Sequence, residues 1–541
     1  MIKNISIKIY IIFLLAFGVV LTGCDKNNDG TDDIPEEILQ IFEKPLYSEA
    51  VWSFRVIDEE SGEVIYDLDS DKELIIASVR KLYSVGVSLN ELGSDHIFVT
   101  PVHRQGDVDG AGVLNGDLIL AAEGDMTMGG RRNPDGTMAI VNFDHNGANA
   151  LGNAELTEPN PLAGYESLAK QVFDSGIKEI TGEIIIDDRL FEPFEFRNEY
   201  NVRPIFVNDD LVDVIMNPNE PGEPASVEQR PVTQAFEVES GLLTAGVGEE
   251  VDVLFSPEEL DCIGEPNCTG SVTGELPIDF VPPFTNTFPY IQTFRINEPS
   301  NFARTVFIEE LIKAGVAVSA SVIGINPTGS LPPQDSYTED TKVAELLSLP
   351  YSEYVKLILK VSYNIGADMA LMLYGLTQGV TTLNSSIDAE RKTLIEDFGI
   401  NGNDFEFIDG SGGGESLATG RANIKLLQDM AEKDVFQEYF DALPILGVDG
   451  SLLNVTDFES DPTLAGAKGN VHAKTGTFIL GAENGLDLRA RGLAGYIDTS
   501  SGNRLIFSLV VNDVGVLPGF PEISEVSQDG GRIAAIIWRE N

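Results

Sequence analysis

Three short strings, far apart in the chain, limit the fold more than any other feature. Ser78-Val79-Arg80-Lys81, Ser362-Tyr363-Asn364 and Lys474-Thr475-Gly476 read S-x-x-K, S-x-N and K-T-G, in that order. A lone S-x-x-K arises by chance in most chains of this size; the ordered trio, each in a fitting local setting, does not. If the three act together, the fold must carry a segment near the start of the chain to one near its end. The flanking patterns allow this. Residues 51–70 alternate apolar and polar about Asp58-Glu59-Glu60-Ser61-Gly62, which predicts a β-hairpin. Residues 78–92 read as a helix that ends near Gly93. Residues 492–499 and 504–512 predict two strong strands joined by Ser500-Ser501-Gly502-Asn503, and residues 533–538 a closing helix. A sheet that joins both chain ends, with helices on its faces, fits this order.

The stretch between differs in texture. Residues 97–295 are rich in Gly, Pro and short β-like runs such as Leu118-Ile119-Leu120 and Glu183-Ile184-Ile185-Ile186. They predict a largely β insertion after the S-x-x-K helix. Helical patterns return with Val306-Phe307-Ile308 and Leu311-Ile312, and residues 354–359 lead into Ser362. The expected division is a first core segment 43–96, the insertion 97–295 and a second core segment 296–541, in an α/β (α+β) chain. A chain of 541 residues, 43% hydrophobic, has material for more than one core.

The start of the chain reads as an export signal. Lys3 and Lys8 precede an apolar run, residues 9–20, too short for a comfortable membrane span. Leu21-Thr22-Gly23-Cys24 follows, as in a bacterial lipoprotein signal: residues 1–23 removed and lipid placed on Cys24. Membrane contact is expected through that lipid alone. Residues 24–42 are polar and acidic and read as a tether. Within them Asp25-Lys26-Asn27-Asn28-Asp29-Gly30 resembles the first half of a calcium loop, but with no well-placed Glu expected at the twelfth position, and beside the lipid, it is read as a solvated spacer.

The formal net charge of −52 excludes a general nucleic-acid role, since binding phosphates requires Lys and Arg. Apart from Cys24 the chain has only Cys262 and Cys268, which bracket a turn-like stretch. In an oxidising compartment they are expected to form a small disulfide; no nearby His or second Cys pair completes a metal site.

The trio has a chemical logic. A serine hydroxyl is a poor nucleophile until a base takes its proton. Ser78 and Lys81, three apart on a helix, share a face. A lysine desolvated beside another cation, here Lys474, loses its proton near neutral pH and serves as that base. Ser362 relays a proton to a leaving amine, Asn364 holds the substrate amide and Lys81, and Lys474, Thr475 and Thr477 bind a terminal carboxylate. Taken singly, Ser78 reads as a helix N-cap, Ser362 and Asn364 as polar residues at a helix junction, and Lys474-Thr475-Gly476 as an exposed strand end. His96, His103, His145 and His472 are the only histidines, and none sits in a recognisable triad or metal motif. His472 is placed on the same strand face as Lys474.

With these motifs the chain resembles the D-alanyl-D-alanine carboxypeptidase/endopeptidase family, the class C low-molecular-mass penicillin-binding proteins of the DacB type. The likeness covers most of residues 45–541 and includes Gly116-Asp117-Leu118 with Gly124-Asp125, Asp409-Gly410-Ser411-Gly412, Gly447-Val448-Asp449-Gly450-Ser451-Leu452, Lys474-Thr475-Gly476-Thr477 and Ala494-Gly495-Tyr496. The resemblance implies a penicillin-binding transpeptidase/β-lactamase-like domain with inserted domains and no cofactor or metal. It implies release of the terminal D-Ala from peptidoglycan peptides, capture of β-lactams at Ser78, and an envelope location. The catalytic set is Ser78, Lys81, Ser362, Asn364 and Lys474; Thr475, Gly476, Thr477 and Asp409 bind substrate, and the Thr477 N–H completes the oxyanion hole.

Three departures bear on substrate preference. Tyr363 stands where Asp is common, Gly412-Gly413-Gly414 extends the Asp409 loop, and residues 479–489 interrupt the link after K-T-G. A β-lactamase or a D-amino-acid esterase or amidase uses the same trio, but single-domain β-lactamases lack the long insertion. A non-catalytic envelope scaffold has no need of all five residues.

Overall fold

The computed structural model describes residues 34–197, 199–257 and 259–541; Lys3, Lys8, Cys24 and the run from Asp25 lie outside them. The chain ends do meet. A five-stranded sheet runs Val64–Leu68, Val51–Asp58, Arg504–Leu517, Gly485–Asp498, Val471–Ala482, antiparallel throughout. Trp52 pairs with Val511, so a strand from the start of the chain lies beside one from its end.

The central strand Arg504–Leu517 is covered on both faces, which is why it reads as a nearly unbroken apolar run. Successive side chains alternate between the faces. Ile506 and Val510 join one core with the S-x-x-K helix Lys81–Leu92, the S-x-N helix Asn364–Thr377 and the helix Gly420–Ala431. Phe507, Leu509 and Val511 join the other, beneath Glu36–Phe42 and the terminal helix Phe520–Glu540. That helix buries Ile523, Val526, Ile533 and Ile537, a stripe of helical period.

The expected tether ends earlier than residue 42. Glu36–Phe42 is a helix, with Ile34, Ile38 and Ile41 buried against the sheet core. Lys44 and Tyr47 bond Asp529 of the terminal helix, each at 2.7 Å. The apolar residues at 34, 38 and 41 form a helical stripe that the acidic composition hid. Counted from Asp25, Glu36 is the twelfth residue, so the run does have the glutamate a calcium loop requires.

The inserted unit is also longer than expected. Its six-stranded sheet includes Val99–Val108, Val113–Ala121 and, antiparallel to the first, Lys342–Leu347. Helix Pro299–Lys313 packs into the same core through Phe302, Val306, Phe307, Ile308 and Leu311. The unit therefore runs to Leu347, past the expected boundary at 296. Entry and exit lie side by side, with the Ser348 N–H donating to the Phe98 carbonyl at 3.0 Å. Further small sheets complete the unit, and Cys262 is disulfide-bonded to Cys268. Residues 479–489 do not interrupt the K-T-G strand. They lengthen its hairpin, with Ile479 pairing Leu488 and Ala482 pairing Gly485.

Candidate active site

Ser78 lies in a tight 3-10 turn, Ala77–Arg80, that opens into the helix Lys81–Leu92, rather than on the first helical turn itself. Ala77 holds φ 47°, a left-handed conformation that persists only when neighbours fix it. Two glycines do so. A Cβ on Gly412 would stand 2.0 Å from the Ala77 carbonyl oxygen, and one on Gly476 would stand 2.4 Å from that of Ile76. The turn is thus clamped between the Asp409 loop and the K-T-G strand. Arg80 anchors it from behind: it pairs with buried Glu390, donates to the Asp409 carbonyl at 2.9 Å and lies over Phe407.

Lys81 Nζ is 2.7 Å from each of Ser78 Oγ, Asn364 Oδ1 and the Ser411 carbonyl oxygen. The last two can only accept. A neutral amine has two N–H donors to give them, and its lone pair is then left for the Ser78 hydroxyl proton. Burial, and next the charge of Arg197, lower Lys81 to about 7. Its neutral form is accordingly well populated near neutrality.

Ser362 joins helix Tyr351–Lys360 to helix Asn364–Thr377, with φ 63°. Its hydroxyl accepts from Lys474 Nζ at 2.9 Å, and the Thr475 carbonyl accepts from the same nitrogen at 2.8 Å. Lys474 is buried and held well below its usual value, first by that burial and then by Lys81 and Arg491. Thr475 Oγ1 is 2.7 Å from Ser451 Oγ, in the second of the resemblance loops. Thr477 pairs across the hairpin with Arg491, whose guanidinium donates to Thr477 Oγ1. Burial lowers Arg491 to about 10.

Asp409 is beside the site, but its carboxylate faces its own loop. It accepts from the backbone N–H groups of Ser411, Gly412 and Gly413 at 2.7–3.1 Å. Asp368, pushed up to about 7 by burial and by Asp409, accepts from Gly410 N–H at 2.7 Å. The Asp409 carboxylate, expected to bind substrate, is turned onto its own backbone and shapes the loop whose Ser411 carbonyl holds Lys81.

The family model that describes the D-Ala-D-Ala carboxypeptidase 3 (S13) family matches residues 35–521. The chain belongs to this family. It is a serine-type peptidase, a hydrolase of the D-Ala-D-Ala carboxypeptidase kind, and its family's work on cell-wall peptides puts its action in the envelope. A curated relative, the D-alanyl-D-alanine carboxypeptidase of Actinomadura sp. (strain R39), is 25% identical over 511 residues, 89% of this chain and 81% of that protein. The crystal structure of penicillin binding protein 4 (dacB) from Haemophilus influenzae superposes with a TM-score of 0.65 at 17% identity, over 93% of this chain and 98% of that one. Its complex with a novel β-lactam gives 0.64 at 19% identity, over 93% and 99%. These structures share the fold of this chain.

For this member of the carboxypeptidase family, the fold brings Ser78, Lys81, Ser362, Asn364, Lys474, Thr475, Gly476 and Thr477 together. Sequence reasoning missed Arg80, Arg197 and Arg491. It also gave Lys474 the part of chief cationic neighbour to Lys81, which falls to Arg197. His472 stacks on Phe440, centroids 4.1 Å apart, and His103 on Tyr337, away from the serine. His145 lies in the inserted unit with Asp144 and Asp209, a set of donors that Arg131 fills. Arg131 reaches Asp144 at 2.7 and 2.9 Å and pairs with Asp209. The cluster is therefore charge-compensated from within. Among the described residues no helix is long and apolar enough to cross a membrane.

Proposed function

We propose that Ser78 is the nucleophile and Lys81 its base in removing the terminal D-Ala from peptidoglycan stem peptides. Lys81 takes the hydroxyl proton as Ser78 Oγ attacks the penultimate D-Ala carbonyl. The tetrahedral oxyanion faces the Ser78 and Thr477 N–H groups. The C–N bond then breaks, the amine leaves with a proton relayed through Ser362, and water hydrolyses the acyl ester. Lys474, Thr475 and Thr477, with Arg491 behind them, receive the free carboxylate. An arriving carboxylate also favours the charged form of Lys474, which burial disfavours. β-Lactams acylate the same serine. The mature protein is exported and held in the envelope by lipid on Cys24.

The Lys81 geometry carries this reading: one short contact to the nucleophile and two to groups that only accept. A fluorescent penicillin, followed by peptide mapping, is expected to label Ser78 in the wild type and to leave Ser78→Ala unlabelled. Lys81→Ala is expected to lose both labelling and D-Ala release by several orders of magnitude. Labelling of Lys81→Ala at near-normal rate would refute the base assignment, and labelling at another residue would refute the nucleophile.

A further inference from the structure

The inserted unit reaches the loop that holds Lys81 through the side chain of Arg197. Arg197 sits on the turn between strands Phe194–Phe196 and Tyr200–Val202, which pair with each other. Its guanidinium lies over the Phe196 ring, 4.7 Å from the centroid, and Phe196 stacks on Tyr200, which Arg295 covers in turn. This stack sets the direction of the arginine. From it, Nη2 donates to Ser411 Oγ at 3.1 Å and lies 3.6 Å from Asp409 Oδ2. Ser411 is the residue whose carbonyl accepts from Lys81.

The charges facing Lys81 come from several elements. Its own turn supplies Arg80, already paired with Glu390. The S-x-N helix supplies Asp368 and the neighbouring loop Asp409, and both favour a protonated lysine. The K-T-G hairpin supplies Lys474. Arg197 alone comes from the inserted unit. It faces both carboxylates, 3.6 Å from Asp409 Oδ2 and close enough to Asp368 to act on its charge.

We propose that Arg197 is a positioning residue for acyl transfer, which pins the Asp409–Ser411 loop against Lys81 and offsets the two carboxylates behind it. This rests on the assignment of Lys81 as the base. With Asp409 on the loop and Asp368 on the helix left uncompensated, Lys81 would keep its protonated, inactive form to higher pH. The direction of the Lys81 shift, down through burial and Arg197, agrees with this.

The test is the rate of penicillin acylation of the full-length protein between pH 5 and 9. Arg197→Gln, Arg197→Lys and wild type are compared, with Ser78→Ala as blank and a melting curve for each. Arg197→Gln is expected to move the acid limb up by roughly half to one pH unit, a rate about 3–10-fold lower at pH 6 with little change on the alkaline plateau. Arg197→Lys, which keeps the charge and loses the fork, is expected to restore most of the limb. A uniform fall at every pH with an unmoved limb would leave Arg197 as loop support only and overturn the proposal, as would wild-type behaviour in the glutamine variant. Absence of any Ser78 adduct in the wild type would instead refute the Lys81 reading on which the proposal stands.

Discussion

Gly476→Ala tests whether the fit between the K-T-G strand and the nucleophile turn sets the reaction rate. The added methyl would stand 2.4 Å from the Ile76 carbonyl oxygen and 3.1–3.2 Å from the backbone nitrogens of Val79 and Ser78. A carbon–oxygen contact settles at about 3.3 Å or more, so turn and strand must part by roughly 1 Å. The Lys81–Ser78 contact is now 2.7 Å. Both residues ride on the turn, so that contact is kept, and what opens is the spacing between Ser78 and the strand that carries Lys474 and Thr477; a 1 Å misplacement typically costs about 100-fold in rate, or close to 2.7 kcal/mol. Gly481 on the same strand is the control, since nothing lies within 4 Å of its added Cβ. Stopped-flow acylation by a chromogenic cephalosporin and thermal unfolding are measured for both variants. The expected outcome is a folded Gly476→Ala acylated about 100-fold more slowly and a Gly481→Ala close to wild type. Acylation of folded Gly476→Ala within about threefold of wild type would refute the argument that this contact sets the catalytic geometry.

The remaining predictions concern charge. A base acts unprotonated, so with Lys81 at about 7 acylation is expected to plateau above pH 7 and to fall toward tenfold per unit below it; a rate flat from pH 5 to 9 would contradict this. In the inserted unit, burial disfavours charged His145, but Asp213, Asp209 and Asp144 outweigh it and raise the imidazole to about 9. A group raised on folding stabilises fully below its unfolded value and less as pH passes its folded one. Stability is thus expected to fall by roughly 3 kcal/mol between about pH 6.5 and 9, and urea unfolding should show this in wild type but not in His145→Gln. With 87 acidic against 35 basic residues, melting temperature is expected to rise from low to moderate salt; a flat response would refute dominant self-repulsion.

What was legible in the sequence followed from local rules. The alternation of residues 51–58 and the apolar run of 504–512 gave both sheet partners, and the trio required their ends to converge. The missed residues have partners that are distant in sequence. Arg80 and Glu390 are 310 positions apart, and Arg197 and Ser411 are 214 apart. On a strand pattern, Arg491 opposite Thr477 looks like any solvated charge, and the register that pairs them exists only in the folded hairpin. Helix Pro299–Lys313 misled for a different reason. It is buried almost all round, with Asn301, Arg304, Thr305, Glu309 and Glu310 buried among its apolar residues, so its pattern did not say which core it entered. Asp409 did carry a local signal that went unread. Aspartate before Gly-Ser-Gly favours a side chain that accepts from its own backbone two residues on, which is what the loop does.

The distances in sequence also say how the site must assemble. Lys81 meets Ser78 locally, but its other contacts come from 283 and 330 residues away. The K-T-G strand is held through Gly485–Asp498 to the central strand, and that strand pairs with Val51–Asp58. A fragment that lacks either chain-end sheet partner therefore loses this geometry, and acylation reports on the joined sheet as a whole. The inserted unit is part of this assembly. Its Asn142 accepts from the Gly450 N–H at 2.8 Å, next to the Ser451 that contacts Thr475, and its Arg197 reaches the loop that holds Lys81. The loop that holds Lys81 and the turn beside Thr475 thus both contact a unit that sequence order alone would treat as an appendage, and Met126, Met138, Phe191, Phe196, Val202 and Phe206 of that unit enter the same core as the S-x-x-K helix.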